Sequence, residues 1–236
     1  MPRPPILNPQ SVPVLGTDAH LAAVPPSRLT AEALRARFSQ PGVWQPEIEG
    51  DGAAAGSTPL RSPRQASVLV PLVQREAGLT VLLTRRADHL RDHAGQIGFP
   101  GGRVEPFDAD AIATALREAT EEVGLPAARV EVIGRLPPYT TVTGFVVTPV
   151  VALVAPPFEL LLDRGEVAEA FEVPLAFLMT PAHHRRHRFE YEGGQREFLS
   201  MPWSGAGADS LAREHFIWGA TAAMLRNLYR FLTGDR

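Results

Sequence analysis

Three acidic side chains lie close together just after a glycine-rich turn. Glu118, Glu121 and Glu122 fall within little more than one helical turn, and the sequence "FPGG" at 99–102 precedes them. Like charges three or four residues apart on a helix repel one another, so a purely structural helix gains nothing from this grouping. The spacing indicates a bound cation, and oxygen-rich clusters of this kind suit Mg²⁺ that is shared with phosphate oxygens.

The alternative interpretation is a solvated acidic helix face, because runs of charge usually lie on the surface. The preceding turn argues against it. Gly101 and Gly102 carry no Cβ atom and therefore let the backbone approach a metal ion or a phosphate closely. Glycines and spaced acids together favour the metal site.

The helix that carries these acids can be placed from its two ends. Asp110 is a good N-cap and Gly124 a good C-terminal residue, so the sequence predicts a helix over 111–123. Its apolar stripe is formed by Ile112, Ala115, Leu116, Ala119 and Val123. Glu118 and Glu122 lie beside this stripe at the border of the core, and Arg117 is correctly spaced to pair with Glu121.

Composition restricts the class of protein. A chain of 236 residues with 44% hydrophobic and 21% charged residues is long enough for one sizeable core. The net charge of -3 does not favour nucleic acid as a partner, and the absence of cysteine excludes disulfides. No apolar run reaches the ~18 residues of a membrane span, so we expect no membrane partner and a cytoplasmic location.

The sequence predicts an N-terminal arm over 1–62 and a domain over 63–236. The first 26 residues contain seven prolines without periodicity, which indicates an extended arm that wanders or drapes over the surface. "SRLTAEALRARF" predicts a short helix with Thr30 as its N-cap, and "EGDGAAAGSTPLRSPRQ" is typical of a linker.

The elements of the domain predict an α/β fold. "ASVLVPLV" and "LTVLLTRR" indicate one strand hairpin, and "HRFEYEGGQREFLSMPW" indicates another. "VEVIGRL" and "FVVTPVVALVAP" are further strands, and "FIWGATAAMLRNLYRFL" predicts an amphipathic helix. We therefore expect a mixed β-sheet packed between helices.

The acidic motif resembles the Nudix box of the Nudix hydrolases. That box reads Gly, five residues, Glu, seven residues, then Arg-Glu-U-x-Glu-Glu-x-Gly-U, where U is aliphatic. Here "REATEEVGL" follows Gly102 and Asp108. Asp108 replaces the first glutamate, one extra residue precedes Arg117, and Ala119 fills the aliphatic position.

A longer stretch of sequence narrows the resemblance to one branch of the Nudix hydrolases. "LLTRRADHLRDHAGQIGFPGG" at 82–102 is similar to the signature of the coenzyme A pyrophosphatase branch, with Arg86, Arg91 and Gly95 in register. "TTVTGFVVTPVV" and "IWGATA" also resemble this branch, so the resemblance covers roughly 64–232.

The resemblance implies a Nudix-type α/β/α sandwich and a Mg²⁺- or Mn²⁺-dependent hydrolase. The reaction it implies splits the diphosphate of coenzyme A into 4′-phosphopantetheine and adenosine 3′,5′-bisphosphate. Diphosphate hydrolysis needs charge neutralisation and a positioned water, which agrees with an acidic metal site. The implied metal ligands are Glu118, Glu121 and Glu122, joined by a carbonyl oxygen of Gly101 or Gly102. Arg117 would orient the acids.

Other residues are weaker candidates. Arg86 and Arg91 could bind phosphates, including the 3′-phosphate of coenzyme A. In the predicted loop "GEVAEAFEVPL", Glu166 is a stronger candidate for the general base than Glu169. The histidines of "HHRRHRF" suggest a solvated strand edge more than a metal site, because the adjacent arginines repel cations.

Three functions remain open. The first is a coenzyme A-type pyrophosphatase, and the second is a Nudix enzyme acting on another nucleoside diphosphate derivative, such as a dinucleotide or an ADP-ribose-like compound. The third is a non-catalytic Nudix-fold binding module, against which the intact "REATEE" argues. In the first two functions the partner is a small nucleotide. The sequence leaves a homodimer open.

Overall fold

An eight-stranded mixed sheet and a four-stranded antiparallel sheet form the framework of the computed structural model, which describes residues 6–51, 63–90, 93–206 and 212–234. The strands are β1 (Val14–Thr17), β2 (Arg64–Arg75), β3 (Gly78–Arg86), β4 (Ile97–Gly98), β5 (Gly101–Arg103), β6 (Val130–Arg135), β7 (Tyr139–Thr140), β8 (Phe145–Val154), β9 (Val167–Pro174), β10 (Arg185–Tyr191), β11 (Gly194–Ala206) and β12 (Ala212–Trp218). The helices are α1 (Ala31–Ser39), α2 (Ala111–Val123), α3 (Leu175–Leu178) and α4 (Gly219–Thr233).

The large sheet is mixed because one of its pairings is parallel. Its path is β4-β3-β2-β8-β6, and β5, β7 and β9 add to β2, β8 and β3. β2 and β8 run parallel over ten residue pairs, from Arg64 opposite Phe145 to Val73 opposite Val154. The other pairings are antiparallel.

Helices cover both faces of this sheet. The apolar stripe of α2 packs on one face, where Ala115 and Ala119 meet Leu69 and Leu82 of the sheet. On the other face, α1 and α4 contribute buried side chains to a larger core. The sandwich of a mixed sheet between helices that the sequence predicts is confirmed.

The four-stranded sheet has the order β1-β10-β11-β12. Its hairpin turns at Gly193, whose φ of 94° is easily reached only by glycine, as the Gly-Gly pair predicts. The C-terminal helix begins later than predicted, because residues 216–218 belong to β12 and the helix starts at Gly219. The aromatic and β-branched side chains of "FIW" favour the strand, where they pair with β11.

The described part of the N-terminal arm docks on the rest of the molecule instead of wandering. β1 pairs with β10, and Ile6 and Val12 pack with Phe198 in a small apolar cluster. α1 forms as predicted, with the Thr30 hydroxyl accepting from the N–H of Ala33 at 3.1 Å. Most of the predicted linker, residues 52–62, lies outside the described residues.

Among the helices of the described ranges, none is both long and apolar enough to cross a membrane.

Candidate active site

α2 begins and ends at the residues that the sequence predicts. The Asp110 carboxylate accepts a hydrogen bond from the N–H of Ala113 at 2.8 Å, and Gly124 closes the helix with a left-handed φ of 67°. The Ser67 hydroxyl of β2 donates to the carbonyl of Ala111 at 2.6 Å. The first turn of the acidic helix is therefore attached to the central sheet.

Arg117 connects the acidic residues to one another. Its Nη1 donates to Glu118 Oε1 at 2.8 Å and to Glu121 Oε2 at 2.9 Å. Its Nε and Nη2 donate to the two carboxylate oxygens of Asp108 at 3.0 and 2.9 Å. One guanidinium group thus donates hydrogen bonds to three carboxylates.

Asp108 also belongs to the candidate active site. The helix pattern alone does not reveal it, because it lies in the loop before α2. It also accepts from the N–H of Glu105 and from the hydroxyl of Thr114, both at 2.9 Å. Hydrogen bonds from Arg117 hold the pKa of the Asp108 carboxyl far below its usual range. In the sequence, Asp108 was indicated as a site residue by its position in the Nudix-like spacing.

Glu122 lies deepest in the site. Its side chain is 7% exposed, its Oε2 accepts from the N–H of Gly101 at 3.3 Å, and its Oε1 is 3.9 Å from Arg86 Nη1. Burial raises the pKa of Glu122 to about 8, and the nearby charges of Glu118 and Glu166 act in the same direction. Burial also raises the pKa of Glu118, although Arg117 opposes this.

The two glycines of the turn leave space for different neighbours. A Cβ atom on Gly102 would lie 2.5 Å from the carboxyl carbon of Glu118. A Cβ atom on Gly101 would lie 2.5 Å from the backbone oxygen of Ser67. Gly102 thus makes room for an acidic side chain of the site, whereas Gly101 makes room for the pairing of β5 with β2.

Glu118 and Glu122 fit a hard divalent cation. Carboxylate and carbonyl oxygens are the ligands that Mg²⁺ prefers, and a cation would remove the cost of ionising two carboxyl groups whose pKa values burial has raised. Within the described ranges, no three acidic or histidine side chains are already gathered as a metal cage. Glu121 is the most peripheral of the three acids, with 60% of its side chain exposed.

Glu166 lies near these acids, as its effect on their pKa values indicates. It is exposed in the turn before β9, and its backbone oxygen accepts from the N–H of Ala87 at 2.8 Å.

Glu169 does not lie in a loop, since it belongs to β9. It is buried beside Arg85 and His215, at 3.6 and 3.3 Å. Arg91 lies outside the described residues.

Two of the three histidines of "HHRRHRF" are not solvated. His184 and His187 are 0% and 1% exposed, so the predicted solvated strand edge is wrong for both. His184 contacts the carbonyl oxygen of Leu178 at 2.7 Å, and His187 contacts Ser200 Oγ at 2.8 Å. The neighbouring arginines misled the prediction, because Arg186 forms ion pairs with the arm.

A mixed sheet between helices, with an acidic helix held behind a Gly-Gly turn, defines a hydrolase of the Nudix class. The NUDIX domain family matches residues 63–192. The chain therefore belongs to the Nudix hydrolase family. It is a pyrophosphohydrolase, and enzymes of this family generally use divalent metal ions.

Relatives of similar length support this assignment. The chain is 43% identical over 204 residues to a Salmonella heidelberg protein described as "Uncharacterized Nudix hydrolase NudL", covering 86% of this chain and 94% of that one. It is 46% identical over 167 residues to an Escherichia coli K12 protein of the same description, covering 70% and 81%.

Solved Nudix structures are also similar to parts of the chain. The Mycobacterium smegmatis Nudix hydrolase RenU is 25% identical with a TM-score of 0.41, covering 48% of this chain and 71% of that one. The NUDIX domain of Shewanella oneidensis NrtR, complexed with ADP ribose, is 20% identical with a TM-score of 0.39, covering 52% and 80%.

Proposed function

We propose that this Nudix hydrolase cleaves the diphosphate bond of coenzyme A or of its derivatives. The products would be 4′-phosphopantetheine and adenosine 3′,5′-bisphosphate. The observation that carries the proposal is the coenzyme A-type signature at 82–102, which runs from β3 to the two glycines beside Glu118 and Glu122. The buried carboxylates would hold the cation that neutralises the charge of a diphosphate.

The cofactor of this proposal is Mg²⁺ or Mn²⁺. Glu118 and Glu122 would hold the ion, Glu121 would contribute from the rim, and the Gly101 or Gly102 carbonyl oxygen could complete the protein ligands. The ion, when bound, supplies positive charge to the diphosphate oxygens and acidifies water. Arg117 keeps Glu118 and Glu121 in place through the hydrogen bonds described above, so it acts through the acids and not on the substrate.

Arg86 is proposed to bind the diphosphate itself. Its Nη1 approaches Glu122, and its Nε is buried without a hydrogen-bond partner among the described residues. A guanidinium group in this state gains from an incoming phosphate oxygen, because charge-assisted hydrogen bonds to phosphate are strong. Arg91 remains a second candidate for a phosphate contact on the basis of the signature alone.

Glu166 is proposed as the general base. It is exposed to water and lies close enough to Glu118 and Glu122 to raise their pKa values. A carboxylate at the rim can take a proton from the attacking water while the buried acids remain committed to the metal ion.

A substrate panel tests the proposed function. Purified protein is incubated with Mg²⁺ or Mn²⁺ and with coenzyme A, ADP-ribose or a dinucleoside polyphosphate, and the products are identified by mass. We expect the two products named above to form fastest from coenzyme A. Faster cleavage of ADP-ribose or of a dinucleotide would support the alternative Nudix substrate, and no cleavage of any compound would contradict catalysis.

A further inference from the structure

Two arginines of the large sheet share one aromatic ring. The guanidinium carbon of Arg64 lies 4.0 Å from the ring centroid of Phe145, and that of Arg103 lies 5.4 Å from the same centroid. Both distances are within the range of a cation–π contact. Both arginines are exposed, and Phe145 is half-buried and packs against the larger core.

The pairing of the strands places these three residues together. Arg64 opens β2 directly opposite Phe145 of β8, and Arg103 of β5 lies opposite Ala66, two residues further along β2. Arg64 is also fixed by a hydrogen bond from its Nη2 to the carbonyl of Thr143 at 2.6 Å. Contact with a flat ring leaves the remaining N–H groups of each guanidinium available to a ligand.

The ion pairs of the described residues set Arg64 and Arg103 apart from other arginines. Neither arginine forms an ion pair with a carboxylate in the part of the chain that the structure describes. Many other arginines do, including Arg35, Arg75, Arg117, Arg186, Arg188 and Arg226. Two like charges held on one ring repel each other, so the arrangement gains from a bound anion.

This arginine pair adjoins the candidate active site across one strand. Arg103 follows Gly102, where Glu118 lies, and the backbone oxygen of Arg103 accepts from Arg117 Nη2 at 3.1 Å. Successive side chains of a strand point to opposite faces, so Arg103 and Glu118 flank β5 from its two sides. The arginine pair is therefore connected to the acids through the backbone of Arg103 and the guanidinium group of Arg117.

We propose that Arg64 and Arg103 bind a phosphate group of the substrate that is separate from the diphosphate to be cleaved. Two guanidinium groups match the charge of a phosphomonoester dianion. On coenzyme A this group is the 3′-phosphate, and that identification rests on the proposed function. The pair would then distinguish coenzyme A from compounds such as ADP-ribose, which carry no third phosphate.

Binding without catalysis tests the proposal. Isothermal titration calorimetry compares adenosine 3′,5′-bisphosphate with adenosine 5′-monophosphate, which lacks only the 3′-phosphate. We expect the bisphosphate to bind the wild-type protein about ten- to a hundredfold more tightly, because it adds charge-assisted hydrogen bonds. Arg64→Gln and Arg103→Gln should each reduce this ratio, and the double substitution should abolish it while the affinity for the monophosphate stays nearly constant.

Two further variants serve as controls. Arg129→Gln removes an exposed arginine beyond the far end of β8 and should preserve the ratio. Arg103→Lys keeps the charge but loses the planar fork, so it should retain part of the preference. Thermal melting verifies that every variant is folded.

The possible outcomes separate this inference from the proposed function. Three results would overturn the arginine pair as the phosphate site. They are a wild-type affinity ratio near one, a ratio that survives the double substitution, and a ratio lost only in Arg86→Gln. The substrate panel is an independent reading, because failure to cleave coenzyme A contradicts the function even if Arg64 and Arg103 bind the bisphosphate.

Discussion

Glu122 is a buried acid whose pKa of about 8 lies well above the usual 4.5. Between pH 4.5 and about pH 8, and without metal, the Glu122 carboxyl group stays protonated in the native state but ionises in the unfolded state. The Glu122 contribution to stability is therefore lost as pH rises through this window. A bound cation would offset the cost of the ionised form.

The free-energy cost of ionising the buried Glu122 predicts the effect of Glu122→Gln on stability. At pH 8.5 in the presence of a chelator, the variant should have a higher Tm than the wild type, because the amide keeps the shape of the side chain and cannot ionise. Glu121→Gln, at a position that is 60% exposed, should leave Tm nearly unchanged. Equal melting of the wild type and Glu122→Gln would show that burial does not penalise this carboxylate.

The same variant should have little activity. Loss of one central electrostatic group typically lowers kcat on the order of a hundredfold or more. Steady-state assays at saturating Mg²⁺ measure this effect on the best substrate of the panel. A near-normal kcat would remove Glu122 from the proposed metal ligands.

The two glycines of the turn predict a contrast between activity and stability. In Gly102→Ala the new methyl group meets the carboxylate of Glu118, a side chain that can move aside, so kcat should fall while Tm changes little. In Gly101→Ala the methyl group meets the backbone of β2, which cannot move without separating the strands. Thermal melting should therefore show a clear loss for Gly101→Ala only, and the opposite order would contradict these assignments.

At the scale of elements, an ion network attaches the arm to α4 and β10. Asp18 is 3% exposed, accepts from Arg186 at 2.7 and 2.9 Å, and lies 3.1 Å from Arg226, which is 0% exposed. Glu47 pairs with the same two arginines and with Arg230. The proline-rich arm is therefore a structural part of the molecule.

We expect Asp18→Asn to destabilise the protein by about 3 kcal/mol, because it removes one partner of a buried ion pair. Chemical unfolding monitored by circular dichroism measures the change. Glu32→Gln is the matched control, since Glu32 is 84% exposed and its contact with Arg35 is 4.0 Å long. Such surface pairs contribute less than about 1 kcal/mol. Similar changes in both variants would argue against docking through Asp18.

For the whole molecule, the buried His184 predicts sensitivity to mild acid. Burial, together with the charge of Arg226, lowers the pKa of His184 to about 4, and Arg226 Nη1 contacts His184 Nδ1 at 3.0 Å. The unfolded state takes up a proton near pH 6.5, before the native state does. The contribution of His184 is therefore complete above pH 6.5 and declines as pH falls toward 4.

Urea unfolding at pH 7 and pH 5 measures this contribution. His184 should account for a loss of about 2 kcal/mol between these two pH values. The difference in unfolding free energy between the wild type and His184→Gln should change by this amount between the two pH values, whereas the difference for His20→Gln, at an exposed position, should stay constant. Glu122 acts in the opposite direction over this range, but it is present in every variant and cancels in the comparison. Glu47 does not interfere with this measurement between pH 7 and pH 5. The hydrogen bonds that it accepts from Arg226 and Arg230 outweigh burial and lower its pKa to about 2. An unchanged pH dependence in His184→Gln would contradict a neutral buried imidazole.

The parts of the molecule that sequence predicts are those determined by local chemistry. Asp110, Gly124 and the apolar stripe define α2 within one segment, and the spacing of the acids indicates the candidate site. The docking of Asp18 on Arg186 joins residues 168 positions apart, and no local pattern encodes such a contact. The second sheet and the burial of His184 were missed for the same reason, since both depend on which distant segments meet.

The parallel pairing of β2 with β8 has a consequence for the speed of folding. Ser67 and Thr148, which it brings into hydrogen-bond contact, are 81 residues apart, and α2 and β6 lie between them. Pairings of such long sequence separation form slowly, because the loop must close before its contacts are made. Ser67 also anchors α2, so the acids reach their places only after this closure. In a stopped-flow refolding experiment, we therefore expect secondary structure to return well before hydrolytic activity, and simultaneous recovery of the two signals would show that the crossover forms early.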